Sequence, residues 1–393
     1  MMRHIGVTAR GVIAPIFKSG DDLAAGVLKS VLEASKAEGF PIEDGDVVGI
    51  TESVLARTQG NYAEVTQIAA DIRSKFGGGD LGLVFPIMSR NRFSVLLRGI
   101  AMGCDKLYIL LSYPRDEVGN QLVPQDIFDE TGVNPFSQHF GEKDFYDTFG
   151  KNLHPFTGVD YIEFYKTFGE HIEIVFSNDP AHILKYTKNV LCCDIHSRNR
   201  TARIVKNGGA QKVYTLTDIL TESVDGSGFN EEYGLLGSNM ASDTRVKLFP
   251  RKSGEFALRV QESFLRETGR KVEAIVYGDG CFMDPIGGIW ELADPVASPG
   301  FTPGLLGTPS EIKIKYFADN DLSGLSGGEL EQAMKRQIRG KADNLVGAMA
   351  AQGTTPRRYC DLVASLCDLV GGSGDRGTPV IYIKGYYTNY ATE

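Results

Sequence analysis

Asp279 stands between Gly278 and Gly280, at the end of the apolar run Val272-Glu273-Ala274-Ile275-Val276-Tyr277. A short run with β-branched residues, bounded by glycine, reads as a buried strand. The acid is therefore presented at a strand's C-terminal end, the edge where open α/β sheets bind ligands. A carboxylate in that place either gives oxygens to a ligand or bonds backbone N–H groups as a turn residue. Thr51-Glu52-Ser53, then Arg57 and Gln59-Gly60-Asn61-Tyr62, crowd the exit of the run at 47–50 in the same way. Ser89-Arg90-Asn91-Arg92 precedes a helical pattern. A hydroxyl and two arginines at a helix N-terminus suit an anion, because free N–H groups point outward there. Ser89 as a plain N-cap with solvated arginines accounts for the same residues. Gly371-Gly372-Ser373-Gly374-Asp375-Arg376-Gly377, between a helical pattern and a strand, is a possible phosphate cradle or an ordinary helix end.

Other chemistries lack their signatures. No GxSxG, HExxH or Walker A pattern occurs, and no GxGxxG follows a strand. The six histidines lack metal spacing. The six cysteines form no CxxC pair; Cys192 and Cys193, neighbours on a strand, point to opposite faces, so all six read as buried free thiols.

The elements that must position these groups alternate along the chain. A stripe at Leu23, Ala24, Val27, Leu28, Val31 and Leu32 predicts a helix after the acids Asp21 and Asp22. Phe256, Ala257, Val260, Phe264 and Leu265 predict another, stopped at Gly269 and feeding the strand to Asp279. From residue 81 the texture is strand, helix, strand; residues 114–157 read as long connections. Residues 311–317 alternate like a strand, and helix is expected over 329–339, 341–351 and 362–370 before a final strand at 379–383.

At 393 residues, 42% hydrophobic and 23% charged, the chain suits a soluble enzyme of two or three domains. A net charge of −9 without a basic stripe argues against nucleic acid. No apolar run is long enough for a membrane, and Met1-Met2-Arg3-His4-Ile5 lacks a signal-peptide core, so a cytoplasmic protein is expected.

Pro15-Ile16-Phe17-Lys18-Ser19-Gly20-Asp21-Asp22-Leu23, followed by Asp44-Gly45-Asp46-Val47-Val48, resembles the start of the coenzyme F-420 gamma-glutamyl ligase (CofE-like) family. Gly237-Ser238-Asn239, Thr268-Gly269 with the strand to Asp279, and residues 371–383 fall in that family's order. The resemblance implies an α+β ligase fold, with core residues 1–83 plus 233–393 and an inserted α/β region over 84–232. It implies a GTP- or ATP-dependent, Mg2+- or Mn2+-dependent amide ligase adding glutamate to a small-molecule carboxylate acceptor through an acyl phosphate, and a homodimer.

Carried over by position, the nucleotide contacts fall on Pro15, Ile16, Phe17 and Lys18, on Arg57 and Tyr62, on Ser238 and Asn239, and on Gly371, Gly372, Ser373, Gly374, Asp375 and Gly377. Asp279 and Gly280 fall on the metal pair, with Asp243 a further acid nearby; Asp279 and Lys18 take the catalytic roles. The chain departs from the pattern at Leu236, Gly280 and Ser373, where the family keeps metal-binding side chains. Glu52, Asp243, Asp284 or Asp375 must then supply the remaining oxygens. A non-catalytic nucleotide- or metabolite-binding sensor is the second expectation.

Overall fold

The run ending at Asp279 has no polar side to face solvent except Glu273, and it is buried throughout. The computed structural model describes residues 4–392 apart from 156, 280–281, 284–289, 292–293, 353–356 and 372–373. Gly280, Asp284, Gly372 and Ser373 lie outside the described residues. The strand spans Glu273–Tyr277, and all five of its residues are buried. It belongs to a five-stranded sheet in the order Thr8–Val12, Val380–Lys384, Val47–Thr51, Glu273–Tyr277, Gly300–Phe301. N-terminal strands thus pair directly with strands from the C-terminal half.

Val47–Thr51 and Glu273–Tyr277 are parallel, with Tyr277 opposite Thr51. Glu52 and Asp279 therefore leave the sheet at one edge.

Helices cover both faces of this sheet. Leu23–Glu38 and Ser253–Thr268 bury Val27, Val31, Phe256, Val260 and Phe264 on one side. Each such large side chain contributes about 1.5–3 kcal/mol when fully buried. The Asp22 side chain caps the first helix by accepting from the Ala25 N–H, and Gly269 ends the second at φ 69°. Tyr359–Val370 lies on the opposite face through Val363 and Cys367.

A six-stranded sheet runs Phe140–Gly141, Ile172–Phe176, Lys106–Leu111, Asp80–Val84, Asn189–Cys192, Lys212–Thr215. All but the first are parallel. Numbered among themselves, the parallel strands lie in the order 3-2-1-4-5, a doubly wound arrangement. Its switch point falls between Asp80–Val84 and Asn189–Cys192. The loop leaving Asp80–Val84 there carries Ser89 to Arg92 into the helix Phe93–Met102. The sheet takes in residues ahead of 84, and the helix Val65–Phe76 shares its core through Ile68 and Ile72. A three-stranded antiparallel sheet, Asn239–Ser242, Arg245–Lys247 and Tyr62–Glu64, stands between the larger two. The whole is a mixed α and β architecture.

Two local expectations are corrected. Residues 311–317 do not form a strand: Ile312 alone bridges to Ala351, and the chain then turns into the helix Ile314–Asp319. Residues 341–351 are turns rather than helix, since the preceding helix Gly327–Arg339 ends at Gly340. The connections over 114–157 carry two short helices, Gln125–Glu130 and Glu142–Phe149. Cys104, Cys192, Cys193, Cys360 and Cys367 are buried and unbridged.

Candidate active site

A cleft of about 790 Å³ opens where the three sheets meet. The common edge of Val47–Thr51 and Glu273–Tyr277 brings Glu52, Ser53 and Asp279 to its floor, with Arg57 and Tyr62 alongside. The hairpin from Asn239 contributes Asn239, Arg245 and Lys247. The helix N-terminus at the switch point contributes Asn91 and Arg92. Asp368, in the last turn of Tyr359–Val370, closes the rim.

Charges alternate across the floor. Lys247 Nζ lies 3.0 Å from Glu52 Oε1, and both side chains are buried. Arg92 reaches across from the other sheet and forks between two acids. Its Nη1 donates to Asp294 Oδ1 at 2.5 Å and its Nη2 to Asp279 Oδ2. Asp294 Oδ2 also accepts the Asp279 backbone N–H at 2.7 Å, which ties the two acids together.

The environment moves their ionisation. Burial pushes the Asp294 carboxyl up to about 7, against the pull of Arg92 and with the neighbouring Asp279 and Glu52 charges adding to the rise. Burial likewise raises Glu52; Lys247 opposes the rise and Asp279 adds to it. Burial disfavours the Arg92 charge, but Asp294 and Asp279 more than offset it, so the guanidinium stays charged.

The Arg92 loop is fixed at several points. Ser89 Oγ accepts the Arg92 N–H at 3.2 Å, Asn91 O accepts the Met240 N–H at 2.7 Å, and Arg98 Nη1 donates to Asp243 O at 2.9 Å. Ser89 is therefore not the N-cap, a position Arg92 occupies, and Arg92 is not solvated: its side chain is 14% exposed and pairs with the chain's own carboxylates rather than with a bound anion.

Of the residues singled out from the sequence, Asp279, Arg57, Tyr62 and Asn239 meet in this cleft. Ile16, Phe17 and Lys18 line an adjoining cavity of about 490 Å³ that shares Arg57, Tyr62 and Arg245 with it. Pro15 lines neither cavity. Ser238 is buried behind the cleft, its hydroxyl donating to Leu235 O at 2.6 Å. Gly371, Gly374, Asp375 and Gly377 do not line the cleft, although Gly377 O accepts the Ala14 N–H at 3.2 Å and holds that loop beside the 15–18 stretch. Asp243 sits at the exposed hairpin tip, outside the lining. The sequence reading missed Asp294 and Asp368 and gave Arg92 a different role. Asp294 carries only the turn signal of an Asp-Pro pair.

Among the described residues, the donor set does not fit a resident divalent ion: no group of three or more His, Cys, Asp or Glu side chains is arranged to hold a metal. Glu52, Asp279 and Asp294 do converge, but Lys247 already pairs with the first and Arg92 with the other two. Glu52 Oε2 is buried without a hydrogen-bond partner, one oxygen where Mg2+ takes an octahedron.

Comparison with curated proteins gives no match. The family model described as F420-0:Gamma-glutamyl ligase matches residues 11–385. That span takes in every element lining the cleft, and the chain belongs to the F420-0:Gamma-glutamyl ligase family.

Proposed function

We propose that the protein joins glutamate, through its amine, to a small-molecule carboxylate acceptor, with GTP or ATP activating the carboxylate as an acyl phosphate. The observation that carries this reading is the family match over residues 11–385. An acceptor carboxylate oxygen attacks the γ-phosphorus, the bridging P–O bond breaks, and the nucleoside diphosphate leaves. The glutamate amine then attacks the acyl carbon, phosphate departs with the C–O bond's electron pair, and the nitrogen gives up a proton.

Such chemistry depends on positioning and charge neutralisation more than on an acid–base pair. The cations of the cleft and its neighbouring cavity, Lys18, Arg57 and Arg245, suit a polyphosphate. Asn239 and Tyr62, on the same three-stranded sheet as Arg245, hold the nucleotide with it, with the 371–377 loop beside Lys18. Asp279, 47% exposed, attracts the ammonium of glutamate. The nucleotide arrives as its Mg2+ or Mn2+ complex, the metal entering as part of the substrate. In this reading the chain has a CofE-like core, residues 1–83 and 233–393, and an α/β insertion at 84–232 that shapes the acceptor pocket; it works as a cytoplasmic homodimer.

The test is phosphate release from purified protein given GTP or ATP, Mg2+, glutamate and a panel of carboxylates. Acceptor-dependent release, lost in Asp279→Ala, is expected. Nucleotide binding without turnover on any acceptor would leave a nucleotide-binding module instead, and no nucleotide binding would remove the site assignment.

A further inference from the structure

The acids at the cleft floor hold a cation that belongs to the chain. Arg92 offers a planar fork, the geometry that pairs best with carboxylates, and it uses both arms, one on Asp294 and one on Asp279. Asp279 is half-exposed, but its companion is not a surface group. Asp294 is 1% exposed and accepts the Asp279 N–H on its second oxygen, so the two acids and the guanidinium form one closed unit.

The Arg92 backbone is equally fixed, by Ser89 Oγ before it and by the Met240 N–H on Asn91 O beside it. A third acid, Glu52, is 5% exposed, lines the same cleft, and keeps Oε2 without a partner. A buried, unsatisfied carboxylate oxygen beside two acids that share a charge is the donor pattern of a cation site. Here a guanidinium from the other sheet takes the two aspartates, and Lys247 takes the other oxygen of Glu52.

We infer that Arg92 is the resident cation of the Glu52–Asp279–Asp294 cluster, standing in for a protein-bound divalent metal. A second, dipositive ion would have to share these acids with both cations and meet their repulsion. Arg92 already holds one oxygen each of Asp279 and Asp294, and Lys247 holds one of Glu52. Removal of Arg92 leaves those acids with an uncompensated negative charge and frees their oxygens together with Glu52 Oε2. The cluster then becomes a divalent-cation site. What this means for phosphoryl transfer rests on the ligase reading; the placement of the cation does not.

The experiment is a titration of Mn2+ against the full-length protein without nucleotide, following the electron paramagnetic resonance signal of free Mn2+. Wild type is expected to bind no stoichiometric Mn2+. Arg92→Ala is expected to gain one site, tighter by about tenfold or more, and Arg92→Ala with Asp279→Asn to lose it again. Arg92→Gln, closer in volume, replaces Arg92→Ala should that variant fail to fold. A wild-type site abolished by Asp279→Asn overturns the inference, as does a folded Arg92 variant that gains no site. Neither result depends on turnover, so a failed ligase assay and a failed cation assignment are told apart.

Discussion

Lys247 and Glu52 form a buried ion pair, Nζ to Oε1 at 3.0 Å, across 195 positions of sequence. The pair joins the central three-stranded sheet to the start of the helix Glu52–Thr58, under the cleft floor. Lys247→Met is expected to destabilise the protein by about 3–5 kcal/mol, because it strands a carboxylate in a dry site. Adding Glu52→Gln should recover most of that loss, since a neutral amide costs far less to bury than an unpaired charge. Urea unfolding of the two single variants and the double variant measures the coupling.

Arg245 lies over the Tyr62 ring, its guanidinium carbon 4.2 Å from the centroid, and both residues line the main cleft and the cavity beside Lys18. Arg57 is the other cation common to the two spaces. With a polyphosphate bound there, Arg57→Ala and Arg245→Ala should each weaken nucleotide binding about tenfold, or about 1.4 kcal/mol. Tyr62→Leu should weaken binding through loss of the Arg245 orientation, and raised salt should erode all of these differences. Calorimetric titration with GTP and ATP at two ionic strengths reads the result.

Local elements were legible where a periodic stripe met a strong stop. Ser253–Thr268 with Gly269, and the strand behind Asp279, follow from apolar spacing and a left-handed glycine. Residues 311–317 misled because a short alternation fits a strand and a helical turn equally well, and packing decided for the helix. The site was half legible. Arg57, Tyr62, Asn239 and Asp279 stand at strand exits or in glycine-rich stretches, which mark ligand edges in sequence. The pairing of Arg92 with Asp279 spans 187 positions, and it exists only because the switch point of one sheet faces the edge of another. No local pattern encodes that encounter.

Asp194 follows the strand Asn189–Cys192, with Oδ2 accepting from the Thr201 hydroxyl at 2.7 Å and Oδ1 buried without a partner. Burial pushes its carboxyl up to about 6. A raised folded-state value means that the native protein holds the proton more tightly than the unfolded chain. The stabilisation is therefore full below about pH 4, the unfolded value, and is lost as pH rises through about 6. The span corresponds to about 3 kcal/mol, to order of magnitude. A fall in wild-type stability across about pH 4–6 is expected, and Asp194→Asn should flatten it. Chemical denaturation at several pH values, comparing the two slopes, checks it.

Gly278 is the residue on which the geometry of the acidic unit turns. A Cβ placed there would lie 2.6 Å from Asp294 Oδ2 and 3.0 Å from Val296 O. Asp294 Oδ2 is the atom that accepts the Asp279 N–H, and the other Asp294 oxygen holds Arg92. Gly278→Ala must therefore either displace the Asp294 carboxylate or bend the strand end, and both loosen the fork without removing any charged group. Overpacking of this kind costs about 1–3 kcal/mol. The expected outcome is a modest fall in melting temperature with a much larger fall in turnover, tenfold or more by the rule of about 1.36 kcal/mol per decade. Nucleotide affinity should hold within about twofold, since Arg57 and Arg245 are carried by other elements. Thermal unfolding, GTP titration and phosphate release on the same preparation separate the three effects. An equal loss of affinity and turnover would place Gly278 in the nucleotide site rather than behind the acids.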